Sequence, residues 1–344
     1  MKYIIALTDY KNKFGSKHFD EPYRSGFNKE IINQEFKKHG YEISFVQFSH
    51  VFNSELLVKR PFILYTSSED INYLYKSYIE DIILTLQEQG FKVIPQYRFL
   101  RANNNKVFME LLRSGLDQAE FKTINSQTFG TVEEFFEELD KINFPIVVKK
   151  AAGASGSGVF KASNGEQAQH VAKTVSKSVN LFYDFWDLVR SKKHPGYIRE
   201  SRHRNKFIVQ NFIPNLKNDW KVYFFGDKYY VFFRPILKHR GFRASGGGYD
   251  NYYFGEKAQA PIGMLDYAER FIENFDVPHA SLDIAFDGDR FHIIEFQFLY
   301  FGTAGIPYSD GYFQRKANEW SFIKKQLSIE EVYVNSIIKY IEKK

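Results

Sequence analysis

Apolar positions over the first hundred residues follow two kinds of pattern. Short apolar runs predict buried strands, and apolar residues spaced three or four apart predict helices. The clearest helical stretch runs from Ile71 to Leu86; we expect Ser68 to cap its start and Gly90 to end it. Strands alternating with helices predict a small α/β domain over residues 1–100. The other predicted elements are strands at 3–8, 41–48, 62–65 and 91–94 and a helix that includes Phe27, Ile31 and Phe36 and ends near Gly40.

The same patterns continue downstream with one interruption. Residues 180–206 mix aromatic and basic side chains without a clear period, so no element is predicted there. At the end of the chain, Ser328 and Glu331 have capping-box spacing and precede an amphipathic helix. Predicted helices cover 106–114, 131–141, 167–177 and 267–275, and predicted strands cover 144–150, 159–161, 207–212, 221–225 and 229–233.

A polar turn separates two strand-like runs between Asp283 and Gln297, which predicts a β-hairpin. Period-2 alternation places Glu295 and Gln297 on one face of the second strand, and the hairpin can bring Asp283 opposite them. Three oxygen ligands on one face suit a hard cation such as magnesium. When the segment is taken alone, a surface hairpin with polar side chains outward is the favoured interpretation.

Composition narrows the class of protein. The chain has 344 residues, 44% hydrophobic and 26% charged, which is typical of a globular protein with more than one module. It has no cysteine, so disulfides, thiolate catalysis and cysteine-based zinc sites are excluded. No apolar run is long enough for a signal peptide or a membrane span, so a cytoplasmic protein without a membrane partner is expected.

Net charge of +6 favours an anionic ligand such as a nucleotide or an acidic substrate, and permits nucleic acid. The densest basic cluster runs from Arg199 to Lys206. A solvated surface explains this cluster as well as a binding role does.

A loop rich in Gly, Ser and Ala follows the predicted strand that carries Lys149. It runs from Ala152 to Gly158. Glycines allow backbone N–H groups to approach phosphate oxygens, and a nearby lysine adds a point charge. The loop matches neither a Walker A motif nor the dinucleotide fingerprint. A flexible linker is the alternative.

Three further segments carry polar residues at strand boundaries. Gln210 and Asn211 end an apolar strand, Asp219-Trp220-Lys221 opens the next, and Arg234 closes the one after it. Each is an ordinary strand end when taken alone, and a core strand is favoured for Gln210 and Asn211, whose neighbours are all apolar.

The order of these segments resembles the ATP-grasp superfamily over residues 100–305, most specifically over 145–159 and 283–297. The resemblance implies an α/β (α+β) ATP-grasp fold after an N-terminal α/β domain. The implied parts are residues 1–100, a central subdomain at 101–205, a C-terminal subdomain at 206–325 and a terminal helix at 326–344.

The resemblance also implies roles for single residues. Lys106 and Lys149 would contact ATP phosphates, and Arg234 would neutralise the transferred phosphoryl group. The loop that closes over the phosphates would be Ser155, Gly156, Ser157 and Gly158; the segment against adenine would be Gln210, Asn211, Phe212 and Ile213; the magnesium ligands would be Asp283, Glu295 and Gln297.

Two positions depart from the family pattern. Gln297 stands where many members carry Asn, and Lys221 stands where related enzymes often carry Arg after Asp219. Lysine lacks the bidentate fork of arginine, so the grip on substrate or phosphate there differs. A degenerate enzyme therefore remains an alternative.

The resemblance also implies substrate contacts in the loop that holds Arg240, Arg243 and Asn251, with Asp219 and Lys221. An arginine pair suits a carboxylate. A solvated loop is the alternative. The resemblance implies a ligase that activates a carboxylate, such as a sugar acid or amino acid, with ATP and joins it to an amine. A kinase on the same scaffold, a module that binds nucleic acid or polysaccharide, and a homodimer stay open.

Overall fold

The computed structural model describes residues 2–17, 22–153, 156 and 158–343. The chain forms two compact units. Unit 1 combines the residues up to Asn103 with those from Leu216 onward, and unit 2 comprises Asn104–Asn215.

The N-terminal part of unit 1 is a parallel sheet with strand order β2-β1-β3-β4. Strands joined in parallel by helices are the α/β arrangement that the sequence predicts. The elements are β1 (Lys2–Thr8), α1 (Lys29–Lys38), β2 (Tyr41–Gln47), β3 (Phe62–Leu64), α2 (Leu74–Glu88), β4 (Lys92–Ile94) and α3 (Tyr97–Ala102).

The start of α2 differs from the prediction that Ser68 caps it. The carboxylate of Asp70 accepts hydrogen bonds from the backbone N–H groups of Tyr75 (2.9 Å) and Lys76 (3.2 Å). A carboxylate at this end also complements the positive end of the helix dipole, so Asp70 satisfies the first turn better than a serine would.

Unit 2 contains a four-stranded antiparallel sheet with strand order β5-β8-β6-β7. Its apolar core includes Phe135, Val148, Phe207 and Val209. The elements are α4 (Lys106–Ser114), β5 (Ser126–Phe129), α5 (Val132–Glu138), β6 (Ile146–Lys150), β7 (Val159–Ala162), α6 (Gly165–Ser176), α7 (Leu181–Lys193) and β8 (Phe207–Asn211).

Several features of unit 2 differ from the sequence prediction, and strand β5 is one that was not predicted. Helix α7 lies in the segment for which no element was predicted. Strand β8 pairs with β5 and β6, so it belongs to the sheet before the boundary expected at residue 205 rather than to the part that follows. The four-part division of the chain itself stays a prediction.

The C-terminal part of unit 1 is a second, larger sheet. Its strand order is β13-β12-β9-β10-β14-β15, with β11 paired to β10. The polar strands β14 and β15 were not predicted. The elements are β9 (Asn218–Phe225), β10 (Lys228–Pro235), β11 (Tyr253–Phe254), α8 (Met264–Glu273), β12 (His279–Phe286), β13 (Phe291–Gln297), α9 (Gly305–Tyr308), β14 (Tyr312–Lys316), β15 (Glu319–Ile323) and α10 (Ile329–Glu342).

The last helix belongs to the core of unit 1. Ser328 and Glu331 form the predicted capping box at the start of α10. Tyr333 and Ile337 of this helix pack in one apolar cluster with Ile4 of β1. The predicted amphipathic tail is confirmed as a packed helix. Among the helices of the described residues, none has the length and apolar character needed to cross a membrane.

Candidate active site

The predicted hairpin is present as strands β12 and β13. Their register pairs Asp283 with Glu295 and Ser281 with Gln297. The register then shifts, so that Ile284 pairs with Ile293 and the pairing passes over Ile294. Asp283 and Glu295 thus lie on one face of the sheet. Because of the bulge, the residues from Ile284 to Ile293 alternate out of phase with this pair.

Ion pairs connect this hairpin to the two strands beside it. The guanidinium of Arg234 donates from Nε and Nη2 to the carboxylate of Asp219 at 2.6 and 2.8 Å, and Nη2 also lies 2.8 Å from Oδ2 of Asp283. Nζ of Lys221 donates to Oδ1 of Asp283 at 2.7 Å. We call Asp219, Lys221, Arg234 and Asp283 the ionic network.

Strand register explains why these four side chains meet. Asp219 pairs with Arg234 across β9 and β10, and Lys221 pairs with Asp283 across β9 and β12. Asp219 and Lys221 are two residues apart, so both point to the same face. The sequence named all four as site residues, but only the strand order brings them into one network.

The pKa values of the two carboxylates in the network are shifted in opposite directions. Burial would raise the pKa of Asp283, but the charges of Arg234 and Lys221 outweigh it and hold that pKa well below its usual range. For Asp219, burial dominates over the attraction of Arg234, and the pKa is raised. Asp283 is therefore an anion throughout the neutral range.

Asp283, Glu295 and Gln297 have donor chemistry that fits magnesium: two carboxylates and an amide oxygen. Nε2 of Gln297 lies 3.4 Å from Oε1 of Glu295, so the amide sits beside the carboxylate. Within the part of the chain that the structure describes, no three His, Cys, Asp or Glu side chains form a group that could hold a metal ion. Gln297 is therefore the protein's candidate for a third ligand.

Unit 2 carries a second set of predicted site residues on one face of its sheet. Alternation in β6 and β8 places Ile146, Val148, Phe207 and Val209 in the apolar core and leaves Lys149 and Gln210 on the opposite face. Lys149 is nevertheless only 7% exposed and Gln210 only 2%. A buried lysine and a buried amide on a sheet face away from the core indicate a polar site.

Lys106 of α4 holds the start of the Gly/Ser loop. Its backbone N–H donates to the carbonyl of Ala151 at 2.8 Å, and its Nζ donates to the carbonyl of Gly153 at 3.0 Å. Gly153 and Gly156 have φ values of 127° and 72°, which residues with side chains rarely adopt. Gly158 accepts from the N–H of Lys150 and so closes the loop.

Ser155 and Ser157 lie outside the described residues, so their contact with phosphate stays a prediction.

Gln210 has a further property that sequence could not reveal. Its Nε2 atom is buried without a hydrogen-bond partner, and so is Oγ of Ser126, which pairs with it across β5 and β8. Two buried polar groups without partners cost free energy unless a ligand satisfies them. This pair therefore indicates a place for a ligand that offers hydrogen-bonding groups.

The strand end beside Gln210 presents a ring and a cation. Asn211 is exposed, and Phe212 and Ile213 are half-buried. Nζ of Lys161 lies 3.8 Å from the ring centroid of Phe212, a cation–π contact. Lys161 was not predicted as a site residue; its position two residues after the start of β7, in the strand that pairs with the strand of Lys149, was the available signal.

The predicted substrate loop folds on itself. Nδ2 of Asn251 donates to the carbonyl of Gly247 at 2.8 Å, so its amide stabilises the loop. Arg243 is half-buried, and for Arg240 only the backbone is described. Tyr249 of this loop stacks on Tyr308, with centroids 5.3 Å apart and planes inclined by 10°.

Tyr249 also feels the ionic network. Burial raises its pKa, and the positive charge of Arg234 opposes that rise. The loop therefore brings an aromatic hydroxyl within electrostatic range of Arg234. Sequence reasoning did not single out Tyr249 because it looked like one loop aromatic among many.

Comparisons with known proteins agree with this architecture. No protein-family model matches the chain. A formate-dependent phosphoribosylglycinamide formyltransferase of Bacillus velezensis is 29% identical over 139 residues, which is 39% of this chain and 29% of that protein. The chain thus spans less than a third of this curated relative.

Solved structures match over nearly the whole chain. A RimK domain ATP-grasp protein of Sphaerobacter thermophilus is 13% identical with a TM-score of 0.51, covering 97% of this chain and 99% of its own. The D-alanine–D-alanine ligase of Bacillus anthracis is 14% identical with a TM-score of 0.50, covering 99% and 97%. An N5-carboxyaminoimidazole synthetase of Staphylococcus aureus is 10% identical with a TM-score of 0.53, covering 94% and 81%.

The chain has the ATP-grasp fold. This confirms the predicted resemblance and the predicted mixed class of helices and sheets.

Proposed function

We propose that this protein is an ATP- and magnesium-dependent ligase that activates a carboxylate and couples it to an amine. The observation that carries the proposal is the ionic network, which holds Asp283 ionised and directly opposite Glu295. Two structural neighbours support the nucleotide: a D-alanine–D-alanine ligase of Bacillus anthracis complexed with ATP and a PurK synthetase complexed with ADP.

The reaction is a phosphoryl transfer followed by an acyl transfer. A carboxylate oxygen of the substrate attacks the γ-phosphorus of ATP, the bond to the β-phosphate oxygen breaks, and ADP leaves. The amine nitrogen then attacks the acylphosphate carbon, loses a proton and displaces phosphate. Such chemistry needs positioning and charge neutralisation more than a protein nucleophile, which fits a chain without cysteine.

Unit 2 supplies groups for the nucleotide in this proposal. Lys149 and Lys106 contact phosphates, and the loop from Ser155 to Gly158 covers them. The segment Gln210–Ile213 receives adenine, whose ring nitrogens and amino group can satisfy the buried amide of Gln210. The exclusion of water by the loop would protect an acylphosphate from hydrolysis.

Unit 1 supplies the metal ligands. Asp283, Glu295 and Gln297 would hold magnesium, which when bound neutralises phosphate charge and orients the transferred group. Three carboxylates (Asp219, Asp283, Glu295) face two cations (Lys221, Arg234), so this cluster alone carries a net charge of −1. Arg234 is bound by two of these carboxylates, and its charge reaches the transferred phosphoryl group as part of that cluster.

The substrate carboxylate is assigned to the loop of Arg240, Arg243 and Asn251. An arginine pair recognises a carboxylate through charge-assisted hydrogen bonds. Tyr249, close to Arg234, is added to this set. A sugar acid or an amino acid would satisfy these groups.

ADP release across a matrix of carboxylates and amines tests the proposal. We expect release to need one carboxylate and one amine together, and Asp283→Asn and Glu295→Gln to abolish it. Asp289→Asn is the matched control, because Asp289 lies in the turn of the same hairpin and its side chain is 83% exposed. Full activity in either site variant would falsify the metal assignment, and a stable phosphate ester formed without amine would identify a kinase instead.

A further inference from the structure

Helix α7 of unit 2 exposes its apolar side chains and buries a polar one. Its outward side carries Leu181, Phe182, Tyr183, Phe185 and Trp186, which we call the aromatic face. Phe182 is 67% exposed, Phe185 59% and Trp186 46%. A surface helix normally buries its apolar stripe and exposes its polar one.

The inward side of α7 is polar instead. Asp187 is buried and accepts hydrogen bonds from the hydroxyl of Tyr197 (2.6 Å) and the backbone N–H of Glu200 (3.1 Å). Asp184 accepts from Nε of Arg202 at 3.0 Å. These contacts fix which side of the helix faces the protein, so the exposure of the aromatic face follows from specific bonds.

The aromatic rings contact one another rather than the core of unit 2. Phe182 and Phe185 each pack edge-on against Trp186, with centroids 6.3 and 6.0 Å apart. Contiguous exposed apolar area of this kind marks an interaction surface.

The segment that carries this face is strongly basic. Residues 177–206 contain eight Lys and Arg against three Asp and Glu, a net +5 in a chain whose total is +6. Arg190, Lys192 and Lys193 occupy the last turn of α7. Rigid aromatic side chains next to a basic cluster are the combination that binds the interface of an anionic membrane.

We propose that α7 docks this protein onto a membrane surface rich in anionic lipid. The exposed rings project from the helix, and a bilayer can bury such projecting side chains without a preformed groove. A two-fold contact with a second copy would bring two segments of +5 together, which like-charge repulsion disfavours. The absence of a spanning segment, on which the expectation of no membrane partner rested, does not bear on surface binding.

Co-sedimentation with vesicles tests this proposal on the full chain. We expect the protein to pellet with phosphatidylcholine vesicles that contain about a third phosphatidylglycerol, and to stay in solution with pure phosphatidylcholine, because the basic cluster needs anionic headgroups. Phe185→Ser/Trp186→Ser should weaken binding at least about tenfold, since both rings leave the interface. Ile262→Ser, at a fully exposed apolar residue of unit 1, is the matched control and should bind normally.

Two readouts separate the alternatives. Tryptophan emission should shift to the blue on anionic vesicles, and Trp186→Phe should lose the shift while still pelleting. No pelleting with either vesicle, equal loss in the control variant, or a dimer in light scattering that disappears in the double variant would each overturn the proposal. Failure here would leave the ligase proposal untouched, since ADP release is measured without vesicles.

Discussion

Asp219 and Asp283 lie on different strands, β9 and β12, yet both bind the guanidinium of Arg234. Each carboxylate is close to fully buried. Arg234 therefore compensates both carboxylates for the hydration that they lose on burial. Asp283 is also compensated by Lys221. This shared dependence makes Arg234 the residue whose removal should cost most.

Arg234→Met should destabilise the protein by about 3–5 kcal/mol, because it leaves two buried carboxylates with too little positive charge. Chemical denaturation followed by circular dichroism measures the change. Adding Asp219→Asn should recover part of the loss, since the carboxylate that Arg234 binds through two hydrogen bonds is then neutral. Unchanged stability in Arg234→Met would mean that the network contributes nothing to the fold.

Lys149→Met should weaken ATP binding about tenfold or more, the cost of one charge-assisted hydrogen bond to phosphate. Lys150→Met is the matched control, because Lys150 is exposed and alternation points it to the opposite side of β6. Isothermal titration calorimetry in the presence of magnesium gives both affinities. Equal affinities in the two variants would remove Lys149 from the phosphate site.

Gln210→Met should stabilise the protein without ligand and weaken its binding of ATP. The substitution removes an amide that is buried without a partner, a cost of about 1 kcal/mol or more in the unliganded protein. Tripolyphosphate lacks adenine, so its affinity should not change. Gln127→Met, at an exposed position of the neighbouring strand β5, controls for the extra apolar side chain. Loss of tripolyphosphate binding as well would contradict an adenine contact.

His279 should make unit 1 sensitive to acid. It is buried beside a cavity of about 30 Å³, its Nδ1 has no partner, and burial lowers its pKa from 6.5 to about 3. Between these two pH values the unfolded chain binds a proton that the folded protein does not. Stability therefore falls as pH drops below 6.5, by up to ~1.4 kcal/mol per pH unit from this group.

His279→Phe should flatten that part of the stability profile, because its ring would lie among Phe225, Phe301 and Tyr333 without a titratable group. Urea unfolding measured from pH 7 to pH 4 gives the slope. His170→Gln, at an exposed position of α6, should leave the slope as it is. An unaltered slope in His279→Phe would show that His279 is not the responsible group.

The strongest sequence predictions rested on local pattern. Period and turn chemistry gave the hairpin at 283–297, the parallel N-terminal strands and the capping box at Ser328, because all three depend on residues close in the chain. The ionic network could not be predicted, since it depends on β9 lying between β10 and β12. Lys221 and Asp283 are 62 residues apart, and no periodic pattern in the sequence indicates a contact over that separation.

Other misses have particular physical causes. Helix α7 does not bury its apolar side chains, so its sequence lacks the apolar stripe that predicts a packed helix. Strands β14 and β15 carry Arg315, Lys316 and Glu319 and lack the apolar run that predicts a strand. The missing hydrogen-bond partner of Gln210 was also invisible, because its apolar neighbours predict a core strand but not the partners of its amide.

The bulge at Ile294 has a practical consequence for engineering. It absorbs the extra residue between the acidic pair and the tip of the hairpin, so the two halves keep separate alternation. A tag or a sensor loop inserted between Gly288 and Asp289, at the tip of the hairpin, would therefore leave Asp283 facing Glu295. Deleting Ile294 would remove the extra residue and join the two halves in one regular ladder, with Asp283 still opposite Glu295.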